Sequence, residues 1–138
     1  MATKLSKNYS PSTEEKFMCA RQKEYFRRKL YSWKEEILLE TAETLEQLQN
    51  ESLKEPDIAD RASSETDWSI ELRARDRQRK LVGKIESALQ KIESGDYGYC
   101  EVSGEPINLK RLDARPIATM TLEAQEMHEK MEKVHRDD

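Results

Sequence analysis

Two carboxylates three positions apart, Asp57 and Asp60, stand in the stretch Glu55-Pro-Asp-Ile-Ala-Asp-Arg-Ala62. Side chains so spaced, beside the small Ala62, can approach a bound Mg²⁺, a basic side chain or a row of backbone amides. They also suit a plainer task, because an aspartate at a helix start accepts hydrogen bonds from free backbone N–H groups. A second group is basic. The run from Arg73 to Lys84, with Arg75 and Arg77 inside it, holds six basic residues against one acid, Asp76. Such a collar can grip an acidic rim, or it can be a solvated helix face with i, i+4 pairs such as Glu71 and Arg75. No nucleophile–base pairing, phosphate loop or HExxH cluster accompanies these groups, which argues against a stand-alone enzyme.

The elements that must carry the aspartates are helices. Pro56 is the only proline between Pro11 and Pro106. It lacks an amide hydrogen and disfavours helix in the residue before it, so one helix ends near Glu55 and the next starts with Asp57 or Asp60 as its cap. Residues 1–12 read as a mobile tail, and Ser12 or Thr13 can cap the first helix. Phe26, Leu30, Trp33, Ile37, Leu45 and Leu48 recur at helical spacing, with Thr41 and Thr44 weakening the stripe. The second run carries Ile70, Ala74, Leu81, Ile85, Ala88 and Ile92, broken at Arg77. Two single-stripe helices joined by a short turn hide their stripes against each other. The expectation is a mostly α protein: a long antiparallel two-helix coiled coil over 13–94, tip at about 55–62, with helix one a rod of roughly 60 Å. Trp68 is expected to cover the tip end.

Gly95-Asp-Tyr-Gly98 stops the second helix, and Gly95 suits a left-handed cap. Residues 95–138 then read as a small module: a short β-hairpin turning at Ser103-Gly104, a helical turn over 108–112, and a last helix capped by Thr119 or Thr121. Tyr97, Tyr99, Val102, Ile107, Leu112, Ile117, Met120 and Leu122 are its expected core, with Leu122, Met127 and Met131 of the last helix packing back on it.

Only 36% of residues are hydrophobic and 38% are charged, poor material for a large core and good material for solvated helices. Net charge is −4, so bulk charge selects no partner, but Glu40 to Glu71 holds ten acids and two bases ahead of the basic collar. No apolar run approaches the roughly 20 residues of a membrane span. The two cysteines, Cys19 and Cys100, make no disulfide framework, and a reducing, cytoplasmic setting is expected.

Four segments together resemble the DksA family of bacterial transcription regulators: Asp57-x-x-Asp60-x-Ala62, Glu71-Leu-Arg-Ala-Arg-Asp-Arg-Gln-Arg-Lys-Leu81, Gly95-Asp-Tyr-Gly-Tyr-Cys100 and Lys110-Arg-Leu-Asp-Ala-Arg-Pro116. The resemblance covers about residues 15–135. It implies a coiled coil projecting from a zinc-finger-like module of the DksA/TraR type, and an activity without catalysis. Such proteins bind RNA polymerase, insert the coiled coil into its secondary channel and change the lifetime of promoter complexes, usually with the alarmone ppGpp in the stringent response. Carried over residue by residue, it makes Asp57, Asp60 and Ala62 the effector tip and Arg73, Arg75, Arg77 and Lys84 a polymerase-contacting collar. Arg77, Leu81, Lys84 and Arg115 match the ppGpp site, while a further lysine of that site falls at Gln125. A monomer is expected, without sequence-specific DNA binding.

One part of the pattern is missing. Well-known members hold a zinc with four cysteines; the corresponding positions here are Cys100, Ser103, Thr121 and Ala124. A closed zinc site needs four donors, and hydroxyls replace thiolates poorly, so no structural zinc is expected. Ser103 and Thr121 are expected to hydrogen-bond across the gap. Two other functions compete: a Gre-like accessory of transcript cleavage, whose paired carboxylates would position a metal, and a generic coiled-coil adaptor.

Overall fold

The computed structural model describes the backbone of residues 4–54 and 58–137, and within these all side chains except those of Leu48, 51–54, 58–65 and 136–137. Four helices follow in order: α1 (Ala20–Lys54), α2 (Ile58–Ser94), α3 (Leu109–Ala114) and α4 (Leu122–Asp137). The connection 55–57 lies outside the described residues. The chain divides into two units, Met1–Leu30 with Ser87–Asp138, and Tyr31–Glu86.

The division falls inside α1 and α2 because their outer turns supply side chains to the core of the first unit. Phe26 and Leu30 are fully buried, and the Phe26 ring centroid lies 5.6 Å from that of Tyr97. Ile107 and Leu112 complete this core. The Tyr97 hydroxyl, which would cost free energy if buried without a partner, donates to Pro116 O at 2.7 Å.

Helix α1 begins at Ala20, not beside Ser12 or Thr13. The reason is local. Met18 has φ 55, a left-handed conformation that a right-handed helix cannot run through. The buried Gln22 then serves both sides of the break: its Oε1 accepts from Met18 N–H at 2.8 Å and its Nε2 donates to Ser12 O at 3.0 Å. This is a variant of the capping box, reaching one residue further back. Tyr9 of the expected tail donates to Glu15 Oε1 at 2.9 Å and stacks edge-on against Tyr25.

Helix α2 ends as expected. Gly95 has φ 86, and the amides of Asp96 and Tyr97 both return to Lys91 O, closing the last turn. The expected β-hairpin is reduced to one antiparallel bridge, Tyr99 with Pro106, tightened by Cys100 N–H to Glu105 O and Gly104 N–H to Cys100 O. Residues 101–105 are therefore a turn, and Val102 stands 70% exposed instead of entering the core. Thr121 caps α4 through Ala124 N–H at 3.2 Å. Leu122, Met127 and Met131 do not pack back: beyond Gln125, every α4 residue whose side chain is described is exposed.

In the second unit α1 and α2 pair antiparallel. Lys34 Nζ meets Glu86 Oε1 at 3.1 Å and Thr41 Oγ1 meets Gln78 Oε1 at 2.8 Å, so partners fall on one helix as they rise on the other. Ile37 and Ile85 are buried on this seam, but Ile70, expected there, is 55% exposed. An α-helix drifts by about 20° per heptad from a straight stripe, and Arg77 leaves no apolar side chain to hold the seam across that interval.

Two glycines yield opposite expectations. A Cβ added to Gly83, inside α2, meets nothing within 4 Å. Gly83→Ala should stabilise the chain by about 1 kcal/mol. At Gly98, φ is 90 and a Cβ would lie 3.1 Å from both Met18 Cε and Phe17 Cζ. Gly98→Ala should cost about 1–2 kcal/mol. Thermal melts of the two variants, moving in opposite directions from the parent, check both.

Candidate functional site

Asp60 and Ala62 belong to the opening of α2, which starts at Ile58. Asp60 is thus inside the helix and not its cap; the position before α2 is that of Asp57, which lies outside the described residues, as do the side chains of Asp60 and Ala62. A carboxylate in a first helical turn is favoured in its charged form by the unsatisfied amides there.

Further along α2, Arg73, Arg77 and Lys84 are exposed, and among the described residues no ion pair occupies them. The acid within the collar serves other bases: Asp76 pairs with Arg79 at 2.8 Å and Lys80 at 3.2 Å. The hydrogen bond from Lys80 is the main cause holding its carboxyl below the usual range. Arg75 differs from its neighbours. It is half-buried, and its Nε is sealed from solvent without a hydrogen-bond partner among the described residues. Arg73 and Arg77 line an open groove with Trp68, Ile70 and Leu72, a surface of cations interleaved with apolar side chains. Trp68 thus contributes to this groove.

The residues matched to ppGpp divide between the units. Arg77, Leu81 and Lys84, at i, i+4 and i+7, share one side of α2 in the second unit. Arg115 is exposed at the C-terminal cap of α3 in the first. Sequence reading missed its companions. Lys110, Arg111, Arg115 and Asn108 line a cleft of about 620 Å³ that Thr121 and Glu123 help to close. The signal was present in the run Lys110-Arg-Leu-Asp-Ala-Arg115, where a helical turn gathers three cations. Asn108 caps that turn through Lys110 N–H at 2.8 Å, and Arg111 Nε donates to Met120 O at 3.0 Å.

The four positions of the missing metal set meet in one corner. Cys100 is buried, and Thr121 Oγ1 lies 3.9 Å from its sulfur. Burial pushes the thiol up. The Ser103 hydroxyl and the backbone amides of Ser103, Thr121 and Val102 outweigh that and bring it down to about 6. The expected bridge between Ser103 and Thr121 is not formed: Thr121 Oγ1 turns to the sulfur, while Ser103 Oγ accepts from Glu105 N–H at 3.4 Å. This corner offers one thiolate, two hydroxyls and the methyl of Ala124, a donor set that does not fit a closed zinc site. Among the described residues no group of three or more His, Cys, Asp or Glu is arranged to hold a metal.

Comparison with known proteins agrees with this geometry. Residues 22–92 match the model of the DnaK suppressor protein DksA, N-terminal domain, and residues 95–130 that of the prokaryotic dksA/traR C4-type zinc finger. The chain belongs to the DksA family. It is 62% identical over 131 residues to the RNA polymerase-binding transcription factor DksA of Caulobacter vibrioides (strain NA1000), covering 95% of this chain and 92% of that one. With the DksA of Escherichia coli K12 it shares 41% over 125 residues, 91% and 83% of the two chains. The solved structure of transcription factor DksA2 from Pseudomonas aeruginosa superposes with a TM-score of 0.79 at 38% identity, covering 85% and 90%. The mostly α fold with two long helices is therefore the DksA fold. These relatives carry the name of a transcription factor, not of an enzyme. This family member has one cysteine, Cys100, within the residues that match the C4-type finger.

Proposed function

We propose that this DksA-family chain is a transcription regulator that binds RNA polymerase, enters its secondary channel tip first, and changes the lifetime of promoter complexes together with ppGpp. The observation that carries the reading is the second unit: an antiparallel helix pair with Asp60 in the first turn of α2 and exposed Arg73, Arg77 and Lys84 farther along the same helix. Aspartates at such an end reach metal ions, bases or amides in a partner's interior, and the cations behind them hold an acidic rim. The protein acts as a monomer in the cytoplasm, where polymerase works. It makes no sequence-specific DNA contact: net charge is −4, and the six basic residues of the collar lie along one helical stretch behind an acidic one.

The test is in vitro transcription from a ribosomal RNA promoter, with promoter-complex lifetime measured with and without ppGpp. A shortened lifetime, enhanced by ppGpp, is expected. An unchanged lifetime despite polymerase binding contradicts the proposal. Stalled elongation complexes run in parallel separate the Gre-like alternative, which alone shortens the RNA. Failure to pull down core polymerase leaves only the adaptor.

Two further outcomes are expected. Alanine at Arg73, Arg77 or Lys84 should weaken polymerase binding severalfold and flatten its salt dependence, since screening acts on the charges removed. Titrating labelled protein into polymerase at low and high salt measures both. We also propose that the module holds no structural zinc. Metal analysis of purified protein should find far less than one zinc per chain, and a chelator should leave the melting temperature unchanged.

A further inference from the structure

We propose that Asp113 is a positioning residue that fixes the direction in which Arg115, with Lys110 and Arg111, meets the phosphates of the effector nucleotide; this rests on the ppGpp reading above. Helix α3 has six residues, too few to hold itself in water. Its orientation must come from outside. Leu112, fully buried, anchors one side. The rest is polar and comes largely from α1. Asp113 Oδ1 accepts the Tyr25 hydroxyl at 2.6 Å and Lys29 Nζ at 2.6 Å, and the same Nζ donates to Asp113 O at 2.7 Å. Tyr97 holds Pro116 O from the core. The backbone is thus gripped at Asp113 and Pro116, on either side of Arg115, while Arg115 N–H closes the last turn on Arg111 O at 2.8 Å.

The arrangement has a consequence for recognition. Three cations on one short turn repel each other, and without outside restraint they would spread. A phosphate group is held well only where its donors converge. Lys29 and Tyr25 touch none of the cleft, yet their grip on Asp113 fixes the phase of the turn that carries Lys110, Arg111 and Arg115 to it. The effect of losing Asp113 should therefore appear in the nucleotide response and not in the response obtained without nucleotide.

The test uses the full chain in promoter-lifetime assays across a ppGpp titration. Asp113→Ala, Asp113→Asn and Lys29→Met should each raise the half-effective ppGpp concentration, by about tenfold for Asp113→Ala, the loss expected for charge-assisted hydrogen bonds. Activity without ppGpp should stay unchanged, and Lys29→Arg should restore much of the response. Amide hydrogen exchange supplies a second readout: Arg115 should exchange faster in Asp113→Ala, while Ile107 and Cys100 keep their rates. A responsive parent with an equally responsive Asp113→Ala protein overturns the role of Asp113, as does a parallel fall in activity without ppGpp. A parent indifferent to ppGpp overturns the underlying reading instead, and unchanged exchange at Arg115 overturns the grip itself.

Discussion

Asp60→Asn should abolish the effect on promoter-complex lifetime while polymerase affinity stays within about twofold of the parent. The substitution keeps size and shape and removes one negative charge. If the tip acts by what its carboxylates do to metal ions, bases or amides inside the partner, the charge is the function. If the tip is an anchor, affinity falls together with activity. The collar provides the opposite control, because alanine at Arg73 or Lys84 should lower affinity with the maximal effect retained at saturating protein. Measuring binding and promoter lifetime on the same preparations separates the two roles. The position of Asp60 in the first turn of α2 keeps the comparison readable, since losing the charge there costs the helix only about 0.3–1 kcal/mol.

Phe26→Ala should cost about 3–5 kcal/mol. Its ring is fully buried, packs edge-on to Tyr25 at 5.2 Å and sits 5.6 Å from Tyr97, at the point where α1 passes through the core of the first unit. Domains of this size are stable by only about 5–15 kcal/mol, so the loss is a large share of the total. Urea unfolding followed by circular dichroism should show a much lower midpoint. An unfolding free energy within about 1 kcal/mol of the parent would mean that the core does not depend on this ring.

The helices were legible because their cues are local. Pro56 and Gly95 mark the breaks around α1 and α2, and the stripes ending in Ile85, Ala88 and Ile92 name the buried side. The start of α1 was not legible. It depends on Met18 adopting a left-handed conformation and on the buried Gln22 bonding across the break, and neither leaves a pattern in spacing. Val102, Leu122, Met127 and Met131 were assigned to the core on polarity alone, yet the turn at 101–105 and the exposed run of α4 leave them at the surface. In the candidate site, the collar was plain in the charge run, but the half-burial of Arg75 was not. The grip of Tyr25 and Lys29 on Asp113 joins residues 88 and 84 positions apart, a distance over which no local rule reaches. The corner at Cys100 was visible as a loss of cysteines; that Thr121 would turn to the sulfur and not to Ser103 required the structure.

The most direct measurement is photo-cross-linking to RNA polymerase from a benzophenone side chain placed at Ile58, the first residue of α2. A cross-link to the polymerase segments around the catalytic centre, lost when a cleavage factor occupies the secondary channel, is the predicted result. A cross-link confined to the outer surface of polymerase, or one that the competing factor does not displace, would contradict it.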